Sequence, residues 1–460
     1  MSEHGSRDAR PAVAGRPPAP HLARPKGTEV GSVFVSNYPP FSVWSREHLA
    51  AYEAVLERPW DPTTSPSLGL YLHIPFCRKR CKFCYFRVYT DKNAEQIQTY
   101  LDALAREVEL YAERPAFAGR PLDFVYFGGG TPSYVAVKHL EGLVARLQAA
   151  MPWRRAQEIT FECEPGTLTA AKVEAIRAIG VTRLSLGVEH FDDEVLRENG
   201  RAHVSKEIYR CLPWIRAAGF DQLNVDLIAG MVGDDWPTWK ETVEKTVELD
   251  PDSVTIYQME LPYNTVYSQA VLKGEPSPVA DWPTKRAWHG YAIDRLQEAG
   301  YEISSAYTMV KKRPGNDASG RFLYRDALWH GSDLLGCGVA SFGHVAGVHA
   351  QNQADWHGYL EPLLESRLPL GRALATSPRQ RLTRELILQL KLGRLDLAPL
   401  SARHGIDVRA TFAAAFAELE RRGMLRLDGD RVELSRQGLL QVDALLPHFY
   451  EEPYRHARYT

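Results

Sequence analysis

The sequence predicts an α/β fold: a partial (β/α)6 barrel followed by a C-terminal winged-helix-like domain. Three observations carry this. From Leu68 to about residue 260, six short apolar segments alternate with stretches of helical spacing, the mark of a parallel sheet wound by right-handed crossovers. Glycines, cysteines and carboxylates gather where those segments end, which is where the chemistry of such folds lies. After Ser377 the pattern changes to helices and one hairpin.

In chain order, residues 1–30 are rich in Pro, Ala, Arg and Gly without periodicity and are expected to be a disordered tail. Residues 31–68 place Phe34, Tyr38, Phe41, Trp44 and Trp60 between turn residues, which predicts an ordered arm packed on the body. The core barrel, 69–310, has strands at GLYLHI (69–74), FVYFGGG (124–130), EITFECE (158–164), RLSLGVE (183–189), LNVDLIAG (223–230) and SVTIYQME (253–260). Helices are expected near 93–111, 136–149, 169–179, 205–218, 236–248 and 281–299, then a strand at 301–307. Residues 311–376 form a Gly-rich, less regular extension. In 377–460, helices at 378–392, 397–404 and 408–422, a hairpin and a helix at 435–447 make the winged-helix-like unit.

The 55 basic residues nearly balance the 57 acidic ones, so net charge gives no reason to expect nucleic acid or an anionic membrane as partner. No apolar run is long enough for a signal peptide or a membrane span, and a cytoplasmic monomer is expected. Six cysteines in 460 residues make no disulfide framework. Cys163, Cys211 and Cys337 lie in separate apolar stretches and read as core thiols.

Cys77, Cys81 and Cys84 crowd into a CxxxCxxC loop directly after the first strand. Thiolates suit iron–sulfur clusters, and Arg78, Lys79, Arg80 and Lys82 around them favour thiolate. Three ligands cannot close a four-iron cube. One iron of a [4Fe–4S] cluster therefore stays open, and the amino and carboxylate groups of S-adenosylmethionine (SAM) can chelate it. An electron from the cluster then breaks the sulfonium bond and releases a deoxyadenosyl radical that abstracts hydrogen, chemistry that no side chain supplies. A zinc site would need a fourth protein ligand, and the next hundred residues offer no Cys or His before His139. His73, upstream on the strand, is not expected to serve.

A second motif, Gly128-Gly129-Gly130-Thr131, ends the second strand. Bare glycines admit a ligand to the backbone, and their N–H groups are expected to hold a carboxylate or phosphate. Glu162 and Glu164 end the third strand, Glu189 and His190 end the fourth and Asp226 lies within the fifth; all are expected to face the same cavity, with Arg201 as a candidate for the SAM carboxylate. Tyr257 and Gln258 are expected in the cavity wall.

The motifs YLHIPFCRKRCKFCYF, FGGGTPS, FECEPGTL, LSLGVEHFDDEVL, NVDLIAG and LGCGVASFGHVAGVHAQN resemble the oxygen-independent coproporphyrinogen III oxidase family of radical SAM proteins over roughly residues 68–448. The resemblance implies oxidative decarboxylation, heme chaperoning or methyl transfer with two SAM molecules. It implies that Tyr71, Gly129, Glu162 and Phe342 contact the cluster-bound SAM. Phe83, Gly130, Thr131, Glu189, Arg201, Asp226 and Met259 fall where the family contacts a second SAM. The chain departs from the decarboxylase at Phe86, where a further Cys is usual, and at Glu189, where Gln is usual. It departs from the chaperone at Leu323–Trp329, which keeps only the Trp of an HNxxYW element.

The leading expectation is a radical SAM oxidoreductase acting on a tetrapyrrole-like small molecule, with Arg78, Lys79, Arg80 or Arg87 pairing with substrate carboxylates and flavodoxin or ferredoxin supplying electrons. Alternatives are a two-SAM methyltransferase or cyclopropanase, a heme chaperone, and a DNA-binding regulator using the C-terminal domain.

Overall fold

The computed structural model describes residues 28–312 and 321–457. Six parallel strands form its centre: β1 (Leu68–Ile74), β2 (Phe124–Gly129), β3 (Glu158–Cys163), β4 (Arg183–Glu189), β5 (Gln222–Ala229) and β6 (Ser253–Gln258). They are hydrogen-bonded in sequence order, each to the next, as right-handed βαβ units require. Helices between them start from side-chain caps that satisfy free N–H groups, such as Asn93 on Gln96 and Asp235 on Thr238.

Each barrel strand is two-sided. Leu184, Leu186 and Val188 of β4, Leu223, Val225 and Leu227 of β5, and Val254 and Ile256 of β6 point outward into the main core under the helices. The alternate residues are polar and face the barrel interior, where Ser185, Asn224, Asp226, Ser253 and Thr255 share one hydrogen-bond network. Burial of the outer face holds the barrel together; the inner face is free to carry chemistry.

The sheet does not end with the barrel. β7 (Tyr301–Ile303) and β8 (Thr308–Lys311) add an antiparallel pair beside β6. The single strand expected at 301–307 is broken because Ser305 Oγ accepts from the Tyr307 and Thr308 amides and turns the chain. On the other edge, β9 (Asp333–Cys337) runs parallel to β1, and β10 (Phe342–Val345), β11 (Val348–Asn352) and β12 (Leu370–Ala375) follow antiparallel. The Gly-rich extension is thus part of one twelve-stranded sheet. Its glycines permit close packing: a Cβ on Gly336 would lie 2.0 Å from the Phe342 carbonyl oxygen.

The C-terminal unit has its own core, with helices Pro378–Leu390, Leu397–His404 and Ala413–Arg421 around a three-stranded sheet of β13 (Arg394–Asp396), β14 (Leu425–Asp428) and β15 (Arg431–Leu434). The helix expected at 435–447 is interrupted at Gln441, and the turn there carries Leu439–Ala444 to the barrel mouth.

The aromatic arm packs on the body, and its contacts extend back to residue 28. The Thr28 hydroxyl donates to the Ala280 carbonyl at 2.6 Å, and its amide donates to the Val279 carbonyl. The rest of the expected disordered tail, 1–27, lies outside the described residues. Glu260 accepts hydrogen bonds from Ser32, Val33 and Phe34, and Trp44 stacks on His349 at 4.8 Å. The arm also contains a helix, Leu49–Leu56, that its turn residues had not suggested. Among the described residues, no helix is long and apolar enough to cross a membrane.

Candidate active site

The cysteine loop leaves β1 and is pinned by the backbone. The Cys77 amide donates to the Tyr89 carbonyl, the Tyr89 amide to that of Pro75, and the Lys82 amide to that of Asn199. All three thiols are free, half-buried and turned to one cavity of about 450 Å³ at the C-terminal ends of the strands. The Thr131 hydroxyl donates to the Cys77 sulfur at 3.3 Å, and Arg201 Nη1 approaches the Cys81 sulfur at 3.5 Å.

This donor set fits an iron–sulfur cluster. Burial pushes the Cys77 thiol up to about 11 and Cys84 up to about 12, a cost that a cationic metal centre reverses because a coordinating thiol is deprotonated outright. Among the described residues, no group of three or more His, Cys, Asp or Glu side chains is placed to hold a single metal ion. His73 is engaged elsewhere, with Nδ1 facing the Tyr71 hydroxyl, Nε2 facing the Arg87 carbonyl, and burial lowering it to about 4.

The glycine turn lies directly against the cysteine loop, and its amides are used within the protein. Gly129 N–H donates to Glu162, Gly130 N–H to the Ile74 carbonyl and Thr131 N–H to that of Phe76. Those amides are committed inside the protein, while Gly129, Gly130 and Thr131 line the cavity, and the glycines allow close approach. Gly129 has φ of 113° and an added Cβ would sit 2.5 Å from the His73 ring, while one on Gly130 would lie 2.8 Å from Pro75 backbone.

Four charged residues close the inner wall. Glu162 accepts from the Tyr126 hydroxyl at 2.7 Å, and burial raises it to about 7. Glu189, also raised by burial to about 7, sits at φ 64° past a register shift in β4, a strained position for a non-glycine residue. Arg201 reaches it at 3.5 Å, donates to the Gly187 carbonyl at 2.8 Å and leaves Nε buried without a partner. Asp226 accepts from Ser185 and Asn224, and burial raises it. Phe83 and Met259 complete the wall, with Met259 buried in a small apolar cluster.

Not every expected residue is there. Tyr71 and Gly128 lie beside the cavity rather than in its wall, and Phe342 stacks on Phe41 at 4.1 Å beneath the arm. His190 faces outward, against Asp234 and Thr242; counting by twos from Ser185 puts it on the helix side of β4. Glu164 does line the cavity, but its carboxylate is taken up by His203 and Arg78. Arg80 donates to the carbonyls of Cys84 and Asn264. Sequence reasoning missed Glu260, Trp282, Arg286, Tyr307 and the 439–444 turn, all in the wall. They belong to segments read only for secondary structure.

The chain matches the Radical SAM superfamily over residues 71–246 and the HemN C-terminal domain over residues 376–440. It is 27% identical over 402 residues to the oxygen-independent coproporphyrinogen III oxidase of Synechocystis sp., covering 82% of this chain and 83% of that protein. It is 28% identical over 412 residues to that of Escherichia coli, covering 85% and 86%. It is 24% identical over 388 residues to the heme chaperone HemW of Bacillus subtilis, covering 83% and 99%. The solved structure of the E. coli coproporphyrinogen III oxidase HemN, described as a radical SAM enzyme, superposes with a TM-score of 0.77 at 26% identity, covering 90% of this chain and 96% of that one.

Fold and site together define a radical SAM protein, and with that superfamily come a [4Fe–4S] cluster and SAM. Within it, the chain carries a HemN C-terminal domain and is similar both to oxygen-independent coproporphyrinogen III oxidases and to heme chaperones.

Proposed function

We propose that the protein is a radical SAM oxidoreductase that decarboxylates a propionate side chain of a tetrapyrrole-like substrate. The observation that carries this is a cavity with three thiols on one side, three barrel carboxylates on its inner wall and open aromatic faces. The cluster and SAM, when bound through Cys77, Cys81 and Cys84, supply the electron and the hydrogen-abstracting radical. Removal of one hydrogen atom from the propionate β-carbon, then of CO2 and one electron to an external acceptor, leaves a vinyl group.

The chain's own residues bind and orient. Glu162, fixed by Tyr126 and Gly129, and Asp226, fixed by Ser185 and Asn224, present carboxyl oxygens to the hydroxyl and amino groups of SAM. Arg201 holds its guanidinium between a cluster ligand and Glu189. The arm and the 439–444 turn wall the cavity from bulk water, which strengthens every polar interaction inside.

A second reading, methyl transfer with two SAM molecules, draws support from one observation. Phe83, Gly130, Thr131, Glu189, Arg201, Asp226 and Met259, the second-SAM positions, all line this cavity together. A chaperone role has less support, because the segment Leu323–Trp329 is folded under the barrel: Glu158 accepts its first amides and Tyr324 packs on Tyr126 at 4.4 Å.

The test is anaerobic turnover of coproporphyrinogen III with SAM labelled in its methyl group and reduced flavodoxin. Release of CO2 with deoxyadenosine supports decarboxylation. Label in the product with no CO2 supports methyl transfer. Heme absorbance without deoxyadenosine removes both.

A further inference from the structure

We infer that Arg286 is the anchor for a carboxylate on a substrate that bears flat rings in this cavity; the inference rests on the reading that the cavity takes an organic substrate. Arg286 lies one turn into the helix Trp282–Glu298, whose N-terminus Asp281 caps. Its neighbour Lys285 is consumed structurally, donating to the Met259 carbonyl and the Thr28 hydroxyl, both at 2.6 Å. Arg286 instead reaches the cavity wall beside Trp282. Its Nε is buried with no hydrogen-bond partner, and burial alone acts on its charge, with no acidic group offsetting it.

The carboxylates that could have paired with it are taken. Glu260 accepts from Ser32 and from the amides of Val33 and Phe34. Asp443 pairs with Lys391 at 2.7 Å and accepts from Tyr307 and the Val35 amide. Among the other arginines of the wall, Arg78 is paired with Glu164, Arg80 holds two carbonyls and Arg201 holds Gly187 and Cys81. An unpaired guanidinium in a partly dry wall is costly, and its planar fork matches a carboxylate bidentately.

The rest of the wall says what the carboxylate is attached to. Tyr85 and Phe86 stack on each other at 4.5 Å and are 42% and 46% open; Tyr257 is 41% open. All three face this cavity. Apolar aromatic faces left bare inside a cavity favour a flat apolar ring against them. Phe86 stands at the position where the decarboxylase usually has a Cys, so part of this platform is this chain's own.

The test titrates the cluster-reconstituted protein with coproporphyrin III, a flat ring with four carboxylates, and with its tetramethyl ester, following porphyrin fluorescence. The wild type is expected to bind the acid at least about tenfold more tightly than the ester. Arg286→Ala is expected to lose about tenfold or more for the acid with no change for the ester and none in iron content, while Arg286→Lys falls between. Equal binding of acid and ester by the wild type, or unchanged acid binding by Arg286→Ala, overturns the inference. Turnover of coproporphyrinogen III separates the two claims. Decarboxylation with an unchanged KM in Arg286→Ala keeps the function and removes this anchor. Arg286-dependent acid binding without any decarboxylation keeps the anchor and removes the function.

Discussion

Arg201 Nη1 lies 3.5 Å from the Cys81 sulfur while Nη2 donates to the Gly187 carbonyl at 2.8 Å. One buried side chain therefore couples the cysteine loop to the end of β4. A cationic donor beside a ligand sulfur raises a cluster's reduction potential. Arg201→Ala is expected to keep its iron, lower that potential and cut deoxyadenosine formation by about 100-fold, as measured by redox titration and product assay.

Gly129→Ala is expected to destabilise the fold, since the methyl group meets the His73 ring at 2.5 Å in a backbone conformation of φ 113°. The loss should be about 1–3 kcal/mol from overpacking, plus strain, seen as a lower denaturant midpoint.

Much of this was legible in the sequence. The barrel strands and the CxxxCxxC loop could be placed because strand ends, glycines and thiols punctuate the chain. The inner wall was legible in part: Glu162, Glu189 and Asp226 fall on inward parity, whereas His190 was misread because parity was not applied. That the Gly129 and Gly130 amides are spent on Glu162 and Ile74 could not be read from the chain, because those acceptors lie on other strands. Arg286 and Asp443 could not be foreseen. Only tertiary packing shows that one is left unpaired and that the other joins three distant segments.

Asp443 is that joint. It pairs with Lys391, which is 1% exposed, and accepts from Tyr307 and the Val35 amide of the arm. Asp443→Ala leaves a buried ammonium unpaired and is expected to cost about 3–5 kcal/mol, with earlier proteolysis of the arm. Asp443→Asn, which keeps a carbonyl acceptor, is expected to cost less.

Glu107 sets a pH dependence away from the site. It accepts from Tyr359, Asn352 and the Gly338 amide in the core, yet burial raises it from 4.5 to about 7. The folded state therefore holds a proton that the unfolded chain releases above 4.5. The stability this contributes is complete below 4.5 and is lost as pH rises through 7, about 3 kcal/mol in all. The wild-type Tm is expected to fall between pH 5 and pH 8, and that of Glu107→Gln to fall less; parallel profiles would show that Glu107 carries no such proton.

We propose that Cys77, Cys81 and Cys84 hold a four-iron cluster with one position left for SAM. Iron analysis and deoxyadenosine assay of anaerobically reconstituted protein, beside the three single Cys→Ala variants, test it most directly. About four irons per chain and reductant-dependent deoxyadenosine in the wild type, with both lost in every variant, is the predicted result. Zinc in place of iron, or a variant that keeps both its iron and its product, would contradict it.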